Sequence, residues 1–142
     1  MRLLVSACLL GCACRYDGQS KENAQVIALG KKHELIPVCP EQLGGLPTPR
    51  LPSEIQGENV TRRDGADVTT EYRKGACEAL RLCRLLDCGG AVLKARSPSC
   101  GCGHVYDGTF SGTLIPGNGV TAQTLLDAGY SVWTEENCTE IG

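Results

Sequence analysis

Four short apolar runs constrain this chain most: Leu3-Leu4-Val5, Leu35-Ile36-Pro37-Val38, Ala91-Val92-Leu93 and Ser131-Val132-Trp133. Each is too short for a helix and apolar throughout, the pattern of a strand buried on both faces. Helical segments lie between them. Residues 22–33 carry Ala24, Ile27 and Ala28 on one face, and a longer helix is expected from Asp67, where Val68, Tyr72, Ala76, Leu80 and Cys83 recur at helical spacing. Asp67 or Thr69 would cap that helix and Gly89-Gly90 would stop it. A last helix over 120–128 ends at Gly129. Residues 40–53, with four prolines and Gly44-Gly45, read as ordered loop, and Pro37 assigns its run to a sheet edge. Alternating strands and helices give an α/β fold: a Rossmann-like open parallel sheet with helices on both faces, as a single domain over 1–142.

Charge excludes some functions. Fourteen basic residues face 16 acidic ones for a net charge of −2. No broad basic surface drives nucleic-acid binding, and such a partner is not expected. Leu9-Leu10-Gly11-Cys12 resembles a lipoprotein cleavage site, but the apolar stretch before it is minimal and interrupted by Ser6 and Cys8. The preferred reading is a first strand from Arg2 to Ser6, in a cytoplasmic protein with no membrane partner.

Ten cysteines, about 7% of the chain, then need explaining. In a reducing compartment they bind metal or do chemistry more often than they pair. No Cys-x-x-Cys occurs, which removes the zinc knuckle and the thioredoxin motif together. Parallel sheets bind ligands beyond the carboxyl ends of their strands. Cys8 lies just past the first strand, Cys39 directly follows the second, and Cys100 sits in the loop after the third. These three are the candidate site thiols. Cys77, Cys83, Cys88 and Cys138 read as small buried hydrophobes. Cys12, Cys14 and Cys102, with His33 and His104 as alternatives, are left to supply any fourth ligand. Three thiolates suit zinc or an iron–sulfur cluster, and a missing fourth ligand leaves the open position that Lewis-acid catalysis requires. Glu41 and Ser97 stand near these thiols in sequence. A carboxylate there could act as a general base, or could simply favour the first turn of a helix at Pro40-Glu41-Gln42.

Several separated motifs carry a family resemblance. They are Val5-Ser6-Ala7-Cys8-Leu9-Leu10-Gly11 with Cys14-Arg15-Tyr16-Asp17-Gly18, and Cys39-Pro40-Glu41 with Gly44-Gly45-Leu46-Pro47-Thr48-Pro49-Arg50. Gly65-Ala66-Asp67-Val68-Thr69, Lys94-Ala95-Arg96-Ser97-Pro98-Ser99-Cys100-Gly101 and Tyr106-Asp107-Gly108-Thr109-Phe110-Ser111-Gly112 continue the pattern. In that order, over nearly the whole chain, they resemble the thiouracil desulfidase (TudS-type) family. The resemblance implies a 4Fe–4S cluster held by three cysteines, matching Cys8, Cys39 and Cys100, with one open iron free to take the sulfur of a thiocarbonyl. It implies that Glu41 activates water or shuttles its protons and that Ser97 orients the ring or relays a proton. The reaction implied is non-redox removal of sulfur from 2-thio or 4-thiouracil, giving uracil and sulfide. A small thiolated pyrimidine is thus the expected partner, with Arg15, Asp17 and Ser99 as candidate substrate-binding residues by loop position. A non-catalytic metal-binding or sulfur-carrier protein, its site closed by four cysteines, is the alternative. Cys12, Cys14 and Cys102 depart from a bare three-thiol site and put extra sulfur near it.

Overall fold

The structure, a computed structural model, describes residues 1–141. Its centre is a four-stranded parallel sheet in the order β2-β1-β5-β8, with β1 at Arg2–Ser6, β2 at Glu34–Val38, β5 at Gly90–Leu93 and β8 at Ser131–Thr134. All four apolar runs are therefore strands, and Pro37 does sit on an edge strand. Register sets the faces. Leu4 pairs with Ile36 on one side and Ala91 on the other, so these residues share a face with Leu93. That face packs on α3 (Thr69–Leu85) and α4 (Val120–Asp127) through Ala79, Cys83, Ala122 and Leu125. Leu3, Val5 and Val92 point the other way, toward Val26 of α1 (Ala24–Ala28) and Cys138 near the C-terminus. Alternate residues of one strand thus feed two cores, as a pleated strand buried on both faces must.

Two local expectations change. The helix over 22–33 is short: Asn23 Oδ1 accepts from the Gln25 and Val26 N–H groups at 3.0 and 3.1 Å, and the α-helix gives way to a 3₁₀ turn at Leu29–Lys31. Gly90 does not stop α3, which has already ended at Leu85. It opens β5 instead, where a side chain would strike the Trp133 ring 2.7 Å away. Asp67 does serve the start of α3, accepting the Thr69 N–H at 2.8 Å.

The long passages between β2 and β5 and between β5 and β8 carry further small elements. The first contains α2 (Pro40–Leu43) and an antiparallel hairpin of β3 (Ser53–Gln56) and β4 (Asn59–Arg62). The second contains a hairpin of β6 (His104–Tyr106) and β7 (Leu114–Pro116). Val60, Val68 and Tyr72 form a small third core that seats the first hairpin on α3. Among the described residues no helix is long and apolar enough to cross a membrane.

Candidate functional site

The chain order of the sheet reverses between β1 and β5, and the crevice beyond their carboxyl ends is where such folds take ligands. A cleft of about 710 Å³ opens there. Its walls are loops that the strand ends throw out, each bent by a specific local device.

After β1 the chain turns at once into a 3₁₀ turn over Ala7–Leu10, closed by Gly11 at φ +102°, whose N–H reaches the Cys8 carbonyl at 3.3 Å. Cys8 is thereby buried at the cleft floor. The Ser6 hydroxyl accepts the Lys94 N–H at 2.9 Å, tying the end of β1 to the end of β5. After β2, Cys39 is the cap of α2 with Pro40 in the first turn, where a proline costs no hydrogen bond. α2 lies almost backbone to backbone on α3. A Cβ on Gly44 would come within 2.0 Å of the Glu71 carbonyl oxygen, and one on Gly75 within 1.9 Å of the Pro40 carbonyl oxygen. After β5, Arg96 takes a left-handed conformation at φ +69°, turning the chain toward the cleft. The Ser97 hydroxyl then accepts the N–H groups of Ser99 and Cys100, both at 3.1 Å, which fixes the Cys100 turn.

Cys8, Cys39, Cys100, Glu41, Ser97 and Arg15 all line this one cleft. Asp17 and Ser99 are not among its walls. Asp17 accepts the Gln19 N–H and lies 3.5 Å from Arg15, so its carboxylate buttresses that arginine. Ser99 is buried, its hydroxyl sharing a 2.8 Å hydrogen bond with Thr121 on α4. Of the undecided thiols, Cys14 is buried in the cleft wall, Cys12 is exposed, and the Cys102 thiol faces the Val132 carbonyl of β8, outside the cleft lining. Cys83, Cys88 and Cys138 are buried as expected, but Cys77 is exposed on α3, because six positions rotate it well away from Cys83.

Several cleft residues escape a reading of the sequence because their partners come from distant loops. Arg50 directs Nε to Glu41 Oε2 at 2.8 Å and also places Nη2 on that oxygen, while Nη2 holds the Cys14 carbonyl at 3.1 Å. Tyr72 stands beside Glu41 and Ser53, and burial raises its phenol well above the ordinary range. Glu41 is thus both things at once, an acid in the first turn of α2 and a carboxylate held in the cleft. Lys94 pairs with Glu135 at 2.8 Å, and Glu135 also accepts the Ala95 N–H at 2.7 Å.

The thiols differ in character. Burial pushes Cys8 up to about 11 and Cys100 up to about 12, with Lys94 and Arg15 partly offsetting the rise at Cys8. Cys39 is lowered, chiefly by its interaction with the Cys14 thiol, helped by the Gln42 N–H and Arg50. The cleft therefore combines one thiol shifted toward easier ionisation, two whose ionisation burial opposes, and a carboxylate held by Arg50.

The 2-thiouracil desulfurase family profile matches residues 3–137. The chain is 46% identical to the solved structure of the 4Fe–4S-dependent thiouracil desulfidase TudS, with a TM-score of 0.93 over 98% of this chain and 93% of that one. It is also 40% identical to the uncharacterized protein YbbK of Bacillus subtilis (strain 168), over 98% of this chain and 99% of that protein. Motif, fold and cleft agree with these matches, and the chain belongs to the 2-thiouracil desulfurase family.

Proposed function

We propose that this protein is a 4Fe–4S-dependent, non-redox desulfidase that hydrolyses thiouracil to uracil and sulfide. The observation that carries the reading is the meeting of Cys8, Cys39 and Cys100 with Glu41 in one cleft of a chain of this family. The donors fit the cluster. They are all sulfur, they come from three strand ends, and Lys94 and Arg15 lie within electrostatic reach of Cys8 to balance thiolate charge. Among the described residues no three His, Cys, Asp or Glu side chains converge on a single ion position.

Bound by three thiolates, the cluster would supply a Lewis-acidic iron for the thiocarbonyl sulfur. The rest falls to side chains. Water adds to the thiocarbonyl carbon, the C–S bond breaks, and the sulfur leaves as hydrogen sulfide with no electron consumed. Glu41, immobilised by Arg50, takes the proton from that water as general base. Ser97 already accepts two backbone N–H groups, so its own O–H is free to donate to a polar atom of the pyrimidine ring. Arg15, steadied by Asp17, lines the same cleft and would contact the rest of the substrate.

The test is sulfide release and uracil formation from 2-thiouracil and 4-thiouracil by anaerobically loaded protein. Activity is expected with four irons per chain, and Glu41→Gln should keep the iron while losing turnover by about 10²–10⁴-fold. A carrier protein would be indifferent to that substitution. Iron-loaded protein that leaves both substrates intact refutes the proposal.

A further inference from the structure

Cys14 is the one buried cleft thiol to which the proposed reaction gives no task. It is only 6% exposed and lines the cleft wall beside Cys39. The Cys39 Sγ also lies 3.7 Å from the Cys14 carbonyl oxygen, and Arg50 fixes that carbonyl from the other side. The other two candidate ligands stand differently. Among the described residues neither the Cys8 nor the Cys100 thiol makes a hydrogen-bond contact with Cys39 or Cys14. The Cys39 sulfur is therefore seated against the backbone of a cysteine outside the proposed ligand set. The Cys14 loop carries left-handed glycines on both sides, Gly11 and Gly18, so a short adjustment of the chain is available there.

We propose that Cys14 and Cys39 are a reversible redox pair, a modification site at which a peroxide closes a disulfide whenever Cys39 is not engaged by metal. The Cys39 sulfur attacks one peroxide oxygen, the O–O bond breaks, and a sulfenic acid and one water (for hydrogen peroxide) are formed. The Cys14 sulfur then attacks the sulfenic sulfur, the S–O bond breaks, and a second water leaves with the remaining proton. Two thiols lose two electrons and the peroxide gains them. A cellular dithiol reverses the bond by exchange. Without Cys14 the sulfenic acid loses the adjacent thiol that traps it, and oxidation proceeds to the sulfinic acid, which thiols do not reduce. The pair thus preserves Cys39 through an interval without metal. This inference rests on the proposed ligand role of Cys39 only for that consequence.

Metal-free full-length protein treated with hydrogen peroxide, alkylated and mapped by mass spectrometry should yield a Cys14–Cys39 linked peptide that dithiothreitol removes. No linkage, or one that joins Cys12 to Cys14 or Cys8 to Cys39 instead, overturns the proposal. After the same oxidation and reduction, Cys14→Ser should carry sulfinic acid at Cys39 and rebind several-fold less iron than the wild type. Equal recovery overturns the protective role, and the wild-type map stands even if the variant folds poorly. Iron loading should block the linkage. A linkage that forms with iron fully retained would sustain the redox pair while removing Cys39 from the ligand set, whatever the activity on thiouracil.

Discussion

At the scale of single residues, Arg50 decides how the cleft works. It grips Glu41 on one side and the Cys14 carbonyl on the other, and its side chain is nearly buried, so this ion pair is screened far less than a surface one. A lysine there keeps the charge but loses the planar fork that reaches both groups. Arg50→Lys should therefore lower kcat by about 10–10²-fold, because an angstrom of misplacement at a reacting group costs that much, with KM and iron content little changed. Steady-state kinetics alongside iron analysis checks this, and an unchanged kcat would remove Arg50 as a positioning residue. None of this could be read from the chain, where Arg50 is one more polar residue among prolines. Cys8, Cys39 and Cys100 were legible because each follows an apolar run, and a strand end fixes where its next residues point. Ser99 misled for the same reason. Loop position cannot tell a hydroxyl facing the cleft from one turned toward Thr121.

Among the elements, α2 is the critical one, four residues long and too short to hold itself together. Its rigidity comes from the contact in which Gly44 and Gly75 bring it onto α3. Gly75→Ala would raise intrinsic helix propensity by about 1 kcal/mol. It would also force Pro40 away from α3, at an overpacking cost of about 1–3 kcal/mol. The expected net result is a lower melting temperature and a larger loss of activity, since Pro40 stands between Cys39 and Glu41. Thermal unfolding and turnover of the loaded variant test it; a stabilised, fully active Gly75→Ala protein would contradict the packing. Elements differed in legibility for a physical reason. The sheet strands announce themselves by unbroken apolar runs. Ser53–Gln56 and Leu114–Pro116 do not, because hairpins at the rim bury few residues and rely on partners such as Glu54, which accepts the Gly108 and Phe110 N–H groups at 3.0 and 3.1 Å. The first hairpin did leave one signal, Gly57 at φ +64° between Ile55 and Val60, hidden beside a proline-rich stretch.

Across the whole molecule, the buried thiols link stability to alkaline pH. Cys83 is fully enclosed between α3 and the sheet, and burial pushes it from the ordinary 9.0 up to about 12. The unfolded chain releases this proton above about pH 9 while the folded chain holds it, so the stabilisation is fully present below pH 9 and is lost as pH rises toward 12. Urea unfolding midpoints should fall through that window, and Cys83→Ala should show a shallower fall even though its starting stability is lower. Parallel slopes for the two proteins would contradict the linkage. The arrangement of Cys8, Cys39 and Cys100 beyond the ends of three separate strands of one sheet has a further consequence, for the order of events after synthesis. Ligands packed into a short segment can gather a metal first and fold around it. Here the thiols are strangers until β1, β2 and β5 have paired, so under the proposed ligand set the sheet forms first and maturation would run from fold to cofactor.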